Sequence, residues 1–195
     1  MVPRIRGARV LRLMTLGLGI ALATGLAQPL PAAAYTSSYV PVHKAGNSLC
    51  IDDPNASKTS GTQMILWPCA TGSNQQWREM SVECGLGGGP LSSTCALLQN
   101  AASGLCLDVK GGSKSNGTPA IQWPCNTSDH AQWFKVMPAA GGSGPPYWTL
   151  WAAGIGVCLD DPNNSSTSGT KLRFWQCNQS AAQIWYAPGW AAFWP

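Results

Sequence analysis

Residues 49–77 read LCIDDPNASKTSGTQMILWPCATGSNQQW, and the same frame returns twice along the chain. The second copy runs Leu105-Cys106-Leu107-Asp108, then Gly117-Thr118, Trp123-Pro124-Cys125 and Ala131-Gln132-Trp133. The third runs Val157-Cys158-Leu159-Asp160, then Gly169-Thr170, Trp175-Gln176-Cys177 and Gln183-Ile184-Trp185. Counted from the first cysteine of each copy, Asp falls at +2, Gly at +11, Thr at +12, Trp at +17, Cys at +19 and Trp at +27, with no gap. The copies start 56 and 52 residues apart.

A repeat of this length in a chain without sustained helical periodicity points to propeller blades or to a trefoil. Three copies are too few for an ordinary propeller. Three copies closed around an axis make an all-β β-trefoil, in which one repeat alone cannot bury its apolar face. The short apolar pieces alternate with Gly and Asn clusters, as an all-β domain with many turns requires.

Upstream of the repeat, residues 1–34 read as a secretory signal peptide. Arg4, Arg6, Arg9 and Arg12 make a basic start, Leu13 to Ala27 an apolar run, and Ala32-Ala33-Ala34 a small-residue cleavage site. The run is too short for a transmembrane anchor. Residues 35–195 are then one domain with lobes at approximately 35–90, 91–143 and 144–195. Removing the four arginines leaves eight Lys plus Arg against eight Asp plus Glu, so the domain is formally neutral. A neutral domain offers little steering toward nucleic acid or anionic lipid. Eight cysteines in a secreted chain imply disulfides.

The Cys-x-Asp, Gly-Thr, Trp-Pro-Cys and Gln-x-Trp series resembles the ricin B-type lectin family and is similar to the trefoil carbohydrate-binding modules of bacterial glycoside hydrolases. The resemblance covers Ser38 to Trp185 and implies shallow sugar sites on the outside of each lobe. Matching spacing pairs Cys50 with Cys69, Cys106 with Cys125 and Cys158 with Cys177, which leaves Cys84 and Cys95 to staple the link between the first two lobes. The cysteines lack the close doublets of a zinc site.

A sugar held in water needs an aromatic face against its C–H face, a carboxylate for adjacent hydroxyls, and amides that fix orientation. In the first lobe the resemblance assigns these roles to Asp52, Trp67, Asn74 and Gln75, with Gln75 bracing the aspartate or touching the sugar. Ile65 stands where some relatives place a polar contact. In the third lobe Asp160, Trp175 and Gln183 match and Ala182 replaces the asparagine. In the second, Asp108 and Trp123 match, but His130 and Ala131 stand at the Asn-Gln positions. The expected order of the lobes is therefore first, third, second.

Leu66 and Phe174 suggest that Trp67 and Trp175 point outward by strand alternation, a pattern that Gln122 breaks. Trp77, Trp133 and Trp185 are read as core. Asp52-Asp53-Pro54-Asn55 and Asp160-Asp161-Pro162-Asn163 are read as turns rather than as calcium loops, since Val109-Lys110 stands there in the second copy. No cofactor or metal is expected. The two histidines, His43 and His130, sit at different places in their repeats, no Gly-x-Ser-x-Gly elbow is present, and the cysteines are all assigned to pairs. The chain is read as a secreted, monomeric, non-enzymatic binder of galactoside or xylan-like glycans, without membrane insertion. The competing readings are a trefoil inhibitor of a hydrolase and the binding subunit of a separate enzyme or toxin.

Overall fold

The computed structural model describes residues 36–85, 94–139 and 147–190. The signal-peptide reading of residues 1–34 and the tail aromatics Phe193 and Trp194 lie outside the described residues. Among the described residues the regular elements are strands and short 3-10 turns, in a thirteen-stranded sheet. No helix among them is long and apolar enough to cross a membrane.

Each lobe supplies four strands. In the first these are β1 (Val40–Pro41) with β2 (His43–Lys44), then β3 (Leu49–Asp52), β4 (Ile65–Pro68) and β5 (Gln76–Glu83). The second has β6 (Thr94–Asn100), β7 (Cys106–Val109), β8 (Thr118–Trp123) and β9 (Phe134–Pro138). The third has β10 (Tyr147–Ala152), β11 (Val157–Asp160), β12 (Arg173–Trp175) and β13 (Trp185–Tyr186). β1 and β2 are halves of one strand broken at buried Val42: β1 pairs β5, and β2 pairs β13. With that strand counted once, the first and fourth strands close a ring in which β5 pairs β6, β6 pairs β9, β9 pairs β10 and β10 pairs β13. The hairpins β3–β4, β7–β8 and β11–β12 gather over one end of it. This is the β-trefoil that the repeat implies.

The threefold relation is visible in single hydrogen bonds. The amide of Met64 donates to the carbonyl of Ala120, that of Ala120 to Leu172, and that of Leu172 to Met64, at 2.9, 3.2 and 2.9 Å. All three residues are fully buried at the same position of their repeats, so the axis is sealed by backbone as well as by side chains. The glycine of each Gly-Thr pair makes the next contact outward. Gly61, Gly117 and Gly169 have φ of 86°, 89° and 83°, a conformation that costs an L side chain about 1–2 kcal/mol. Their amides donate to the carbonyls of Gln122, Phe174 and Leu66 in the neighbouring lobe. A Cβ on Gly61 would meet Trp123 at 3.7 Å, one on Gly117 would meet Trp175 at 3.9 Å, and one on Gly169 would meet Trp67 at 4.0 Å. The repeated Gly and the repeated Trp are thus partners across lobe boundaries.

The three disulfides that spacing indicates form, Cys50–Cys69, Cys106–Cys125 and Cys158–Cys177, and the remaining pair forms Cys84–Cys95. Each of the three equivalent bridges closes a 19-residue separation, worth about 3 kcal/mol in the loop-entropy account. The core joins Leu66, Trp77, Leu98, Phe134, Val136, Trp148, Leu150, Phe174 and Trp185, and Trp190 closes against it.

The second lobe departs from the gapless alignment. Trp77 and Trp185 sit in this core with their indole N–H groups on the carbonyls of Ile51 and Leu159. The residue in that place in the second lobe is Phe134, fully buried and stacked on Phe174 at 6.0 Å. Trp133 is buried too, as the sequence indicates, but in a separate cluster with Leu97 and Cys106, and its N–H bonds the carbonyl of Thr127. One inserted residue explains the slip. Gln75 and Gln183 accept from amides five residues earlier, Ala70 and Asn178, whereas Gln132 accepts from Asn126, six residues earlier. The true counterpart of Gln75-Gln76-Trp77 is Gln132-Trp133-Phe134.

Candidate functional site

The Asp-Trp pairs are placed by the second hairpin of each lobe. Register opposes Asp52 to Ile65 and Cys50 to Trp67. Alternation buries Leu66 completely and leaves Trp67 47% exposed, as expected from the strand pattern. Trp123 is 45% exposed and Trp175 half-buried, beside buried Gln122 and Phe174. Gln122 keeps the alternation that its polarity obscured: its Nε2 donates to the carbonyls of Ser57 and Thr59 of the first lobe, at 2.7 and 3.3 Å.

In the first lobe, Asp52 is held by two amides on one oxygen. Nε2 of Gln75 donates to Oδ2 at 2.7 Å, and Nδ2 of Asn74 donates to the same atom at 2.8 Å. Gln75 is buried, donates also to the carbonyl of Pro68 and accepts from the amide of Ala70, so it braces the aspartate from beneath. Asn74 lies at the surface edge. Oδ1 of Asp52 carries neither bond, and Asp52, Asn55, Ile65, Trp67 and Asn74 line one open cleft of 540 Å³. Burial raises the Asp52 pKa, and the bonds from Gln75 and Asn74 oppose it. Asn55 reaches the cleft because the turn Pro54–Ala56 takes a left-handed step there, with φ of 59°. The sequence marks Asn55 only as a turn residue.

The second lobe keeps the brace. Nε2 of Gln132 donates to Oδ2 of Asp108 at 3.0 Å and to the carbonyl of Pro124 at 3.0 Å. Counting without the insertion puts Ala131 at the glutamine position, whereas the brace is Gln132. Ala131 is the counterpart of Asn74, and the His130 ring lies tilted against Trp133 with ring centroids 4.2 Å apart. Asp108, Trp123, Ile121, Lys110, His130 and Ile155 share a cleft of 750 Å³. Burial pushes the Asp108 pKa up to about 6; the Gln132 bond opposes this and the Asp129 charge adds to it.

The third lobe repeats the brace, with Nε2 of Gln183 on Oδ2 of Asp160 at 3.2 Å and on the carbonyl of Gln176 at 3.0 Å. Here the other oxygen is also taken. Nε of Arg173 donates to Oδ1 of Asp160 at 2.8 Å, in an ion pair, and the guanidinium lies 4.0 Å from the centroid of the Trp175 ring. Arg173 stands opposite Asp160 in register, where the other lobes have Ile65 and Ile121.

The second residues of the Asp-Asp pairs point inward. Asp53 and Asp161 are fully buried at the place held by Val109 in the second lobe. Burial, and then the Asp52 charge, push Asp53 up to about 7 against the opposing Ser57 amide. Asp161 rises to about 6 by burial, moderated first by Lys44. Among the described residues, the one group with metal-ligand proximity is His43 with Cys50 and Cys69, whose sulfurs are joined to each other.

Residues 86–143 match the family model described as a ricin-type beta-trefoil lectin domain-like domain. Among solved structures, the chain is similar to a designed threefold-symmetric protein, ThreeFoil, with 27% identity over 76% of this chain and 96% of that one and a TM-score of 0.63. An exo-beta-1,3-galactanase from Clostridium thermocellum matches at 23% identity and TM-score 0.63, over 77% of this chain; the match spans 30% of the galactanase. A ricin B-like lectin from Macrolepiota procera, solved in complex with lactose, matches at 16% identity and TM-score 0.58, over 82% of this chain and 98% of that one. The resemblance to ricin B-type lectins read from the repeat is thus found again by the family match, and the fold by the structural ones.

Proposed function

We propose that this chain is a secreted, non-catalytic carbohydrate-binding protein that takes galactoside or xylan-like glycans in shallow external sites. The observation that carries the reading is the first-lobe cleft, where a half-exposed indole, Trp67, shares an open surface with a carboxylate anchored on one oxygen only. An indole face covers the C–H face of a pyranose, the free carboxylate oxygen accepts from a sugar hydroxyl, and Asn74 and Asn55 supply amides at the rim. Because Gln75 fixes the carboxylate before a ligand arrives, little ordering cost falls on binding. The second lobe offers the same Asp-Trp-Gln core in a roomier cleft, so we place it second. Two sites on one small domain give avidity on a polymer of repeated sugars.

Electrophoresis through gels containing galactan or xylan tests this. Wild type is expected to be retarded, and Trp67→Ala and Asp52→Asn to lose most of the retardation that belongs to the first lobe. If both variants migrate as wild type does in the polymer gel, the site is misassigned. The match to a segment of a galactanase keeps one alternative in view, a binding module that serves an enzyme encoded on another chain.

A further inference from the structure

We propose that Arg173 is a built-in ligand that occupies the third lobe's binding surface and keeps it closed to sugar. The proposal rests on the carbohydrate reading above and goes beyond it, because it assigns one residue the power to set the number of working sites.

The three lobes allow an internal comparison. In each, the brace glutamine holds Oδ2 of the aspartate. In the first two lobes Oδ1 receives no bond from that brace, and the residue opposite in register is an isoleucine. In the third lobe Arg173 puts a charged N–H on that same Oδ1 at 2.8 Å and places its guanidinium carbon over the Trp175 ring, 4.0 Å from the centroid. These are the two contacts a pyranose would make, a hydrogen bond to the carboxylate and a flat face on the indole. A guanidinium supplies both at once, since it is planar, always charged and weakly hydrated. It is also tethered, so it competes at a high effective concentration against a free sugar. Asp160 is 2% exposed and the Arg173 side chain 26%, so the pair is partly shielded from screening.

The remaining parts of the third lobe are sound. Asp160, Trp175 and Gln183 superpose in role on Asp108, Trp123 and Gln132. The missing asparagine does not set the third lobe apart, because Ala131 in the second lobe and Ala182 in the third stand at the same place. Arg173 is the difference. Its exchange for isoleucine gives the third lobe the second lobe's set, and a further Ala182→Asn gives it the first lobe's.

Heteronuclear NMR of the indole N–H groups, during titration of the full oxidised chain with lactose and with xylotriose, reads each lobe separately. In wild type the Trp67 signal is expected to shift with one of these sugars while the Trp175 signal stays still. In Arg173→Ile/Ala182→Asn, and in Arg173→Ala as a second variant, Trp175 is expected to shift and saturate in the range where Trp67 does. Dispersed spectra confirm that the variants fold. A Trp175 shift alongside Trp67 in wild type overturns the proposal, as does a silent Trp175 in both variants while Trp67 responds. If no indole responds to either sugar in wild type, the carbohydrate reading itself fails and takes the proposal with it.

Discussion

Substitution of Gln132 by alanine tests the inserted residue in the second lobe. Gln132 is fully buried and makes three hydrogen bonds: to Oδ2 of Asp108 at 3.0 Å, to the carbonyl of Pro124 at 3.0 Å, and from the amide of Asn126 at 2.9 Å. Two neutral bonds at about 1 kcal/mol each and one to a charged group at about 2 kcal/mol give a loss of about 4 kcal/mol. A domain of this size loses about 2–4 °C of Tm per kcal/mol, so Gln132→Ala is expected to melt roughly 10 °C below wild type. Gln132→Glu is isosteric but sets a second carboxylate against Asp108. Its destabilisation is expected to be larger at pH 8 than at pH 5, where one proton between the two carboxyls restores a hydrogen bond. The gapless alignment makes the opposite claim, that the glutamine position of this lobe is Ala131. Thermal melts of the oxidised protein followed by circular dichroism decide it. A Gln132→Ala variant that melts within about 2 °C of wild type, less than one lost hydrogen bond should cost, refutes the register assigned here.

Other consequences follow from the same geometry. Burial pushes the carboxyls of Asp53, Asp161 and Asp108 up to about 7, about 6 and about 6, above the unfolded carboxylate value. The native state therefore binds more protons than the unfolded one between pH 4 and 7, and stability falls as pH rises through that window. Tm is expected to be several degrees higher at pH 5 than at pH 8, and Asp53→Asn should flatten that slope; an unchanged slope counts against burial as its cause. On the proposed reading, sugar binding runs the other way in the second lobe, where an ionised Asp108 is the stronger acceptor for a sugar hydroxyl. Shifts of the Trp123 indole on titration should weaken as pH drops below about 6, and no such weakening removes Asp108 from the site. Phe134→Ala empties a fully buried ring position and is expected to cost about 3–5 kcal/mol in denaturant unfolding. Gly169→Ala forces an L side chain to φ of 83° beside Trp67 and should cost about 1–2 kcal/mol by the same assay.

The trefoil is legible because its determinants are invariant in spacing within the chain. The cysteine pairs, the left-handed glycines and the outward tryptophans each answer a backbone requirement that recurs in every lobe, so three copies in one frame leave little choice of fold. The first-lobe set is legible for the same reason. What spacing hides is where one residue is added without moving the landmarks. The insertion between Asn126 and Gln132 leaves Trp133 at the expected count, and Trp133 is buried, so counting alone gives no sign that Phe134 has taken the core position. The aromatic two places after Gln132 is the available signal. Arg173 is missed for a different reason. The same column draws notice in the first lobe as Ile65, but a charge on a strand edge reads as solvated until register sets it opposite Asp160. Asp53 and Asp161 look like surface turn residues, and only Val109 at the matching place hints that the position is interior.

The proposed function stands or falls with sugar binding by the Asp-Trp pairs of the first two lobes. A glycan array probed with the oxidised wild-type chain beside an Asp52→Asn/Asp108→Asn variant of unchanged Tm tests it most directly. Wild type is expected to bind a restricted set of galactose- or xylose-bearing glycans, and the double variant to lose that set. An array on which wild type binds nothing, or on which the double variant binds the same glycans as strongly, contradicts it.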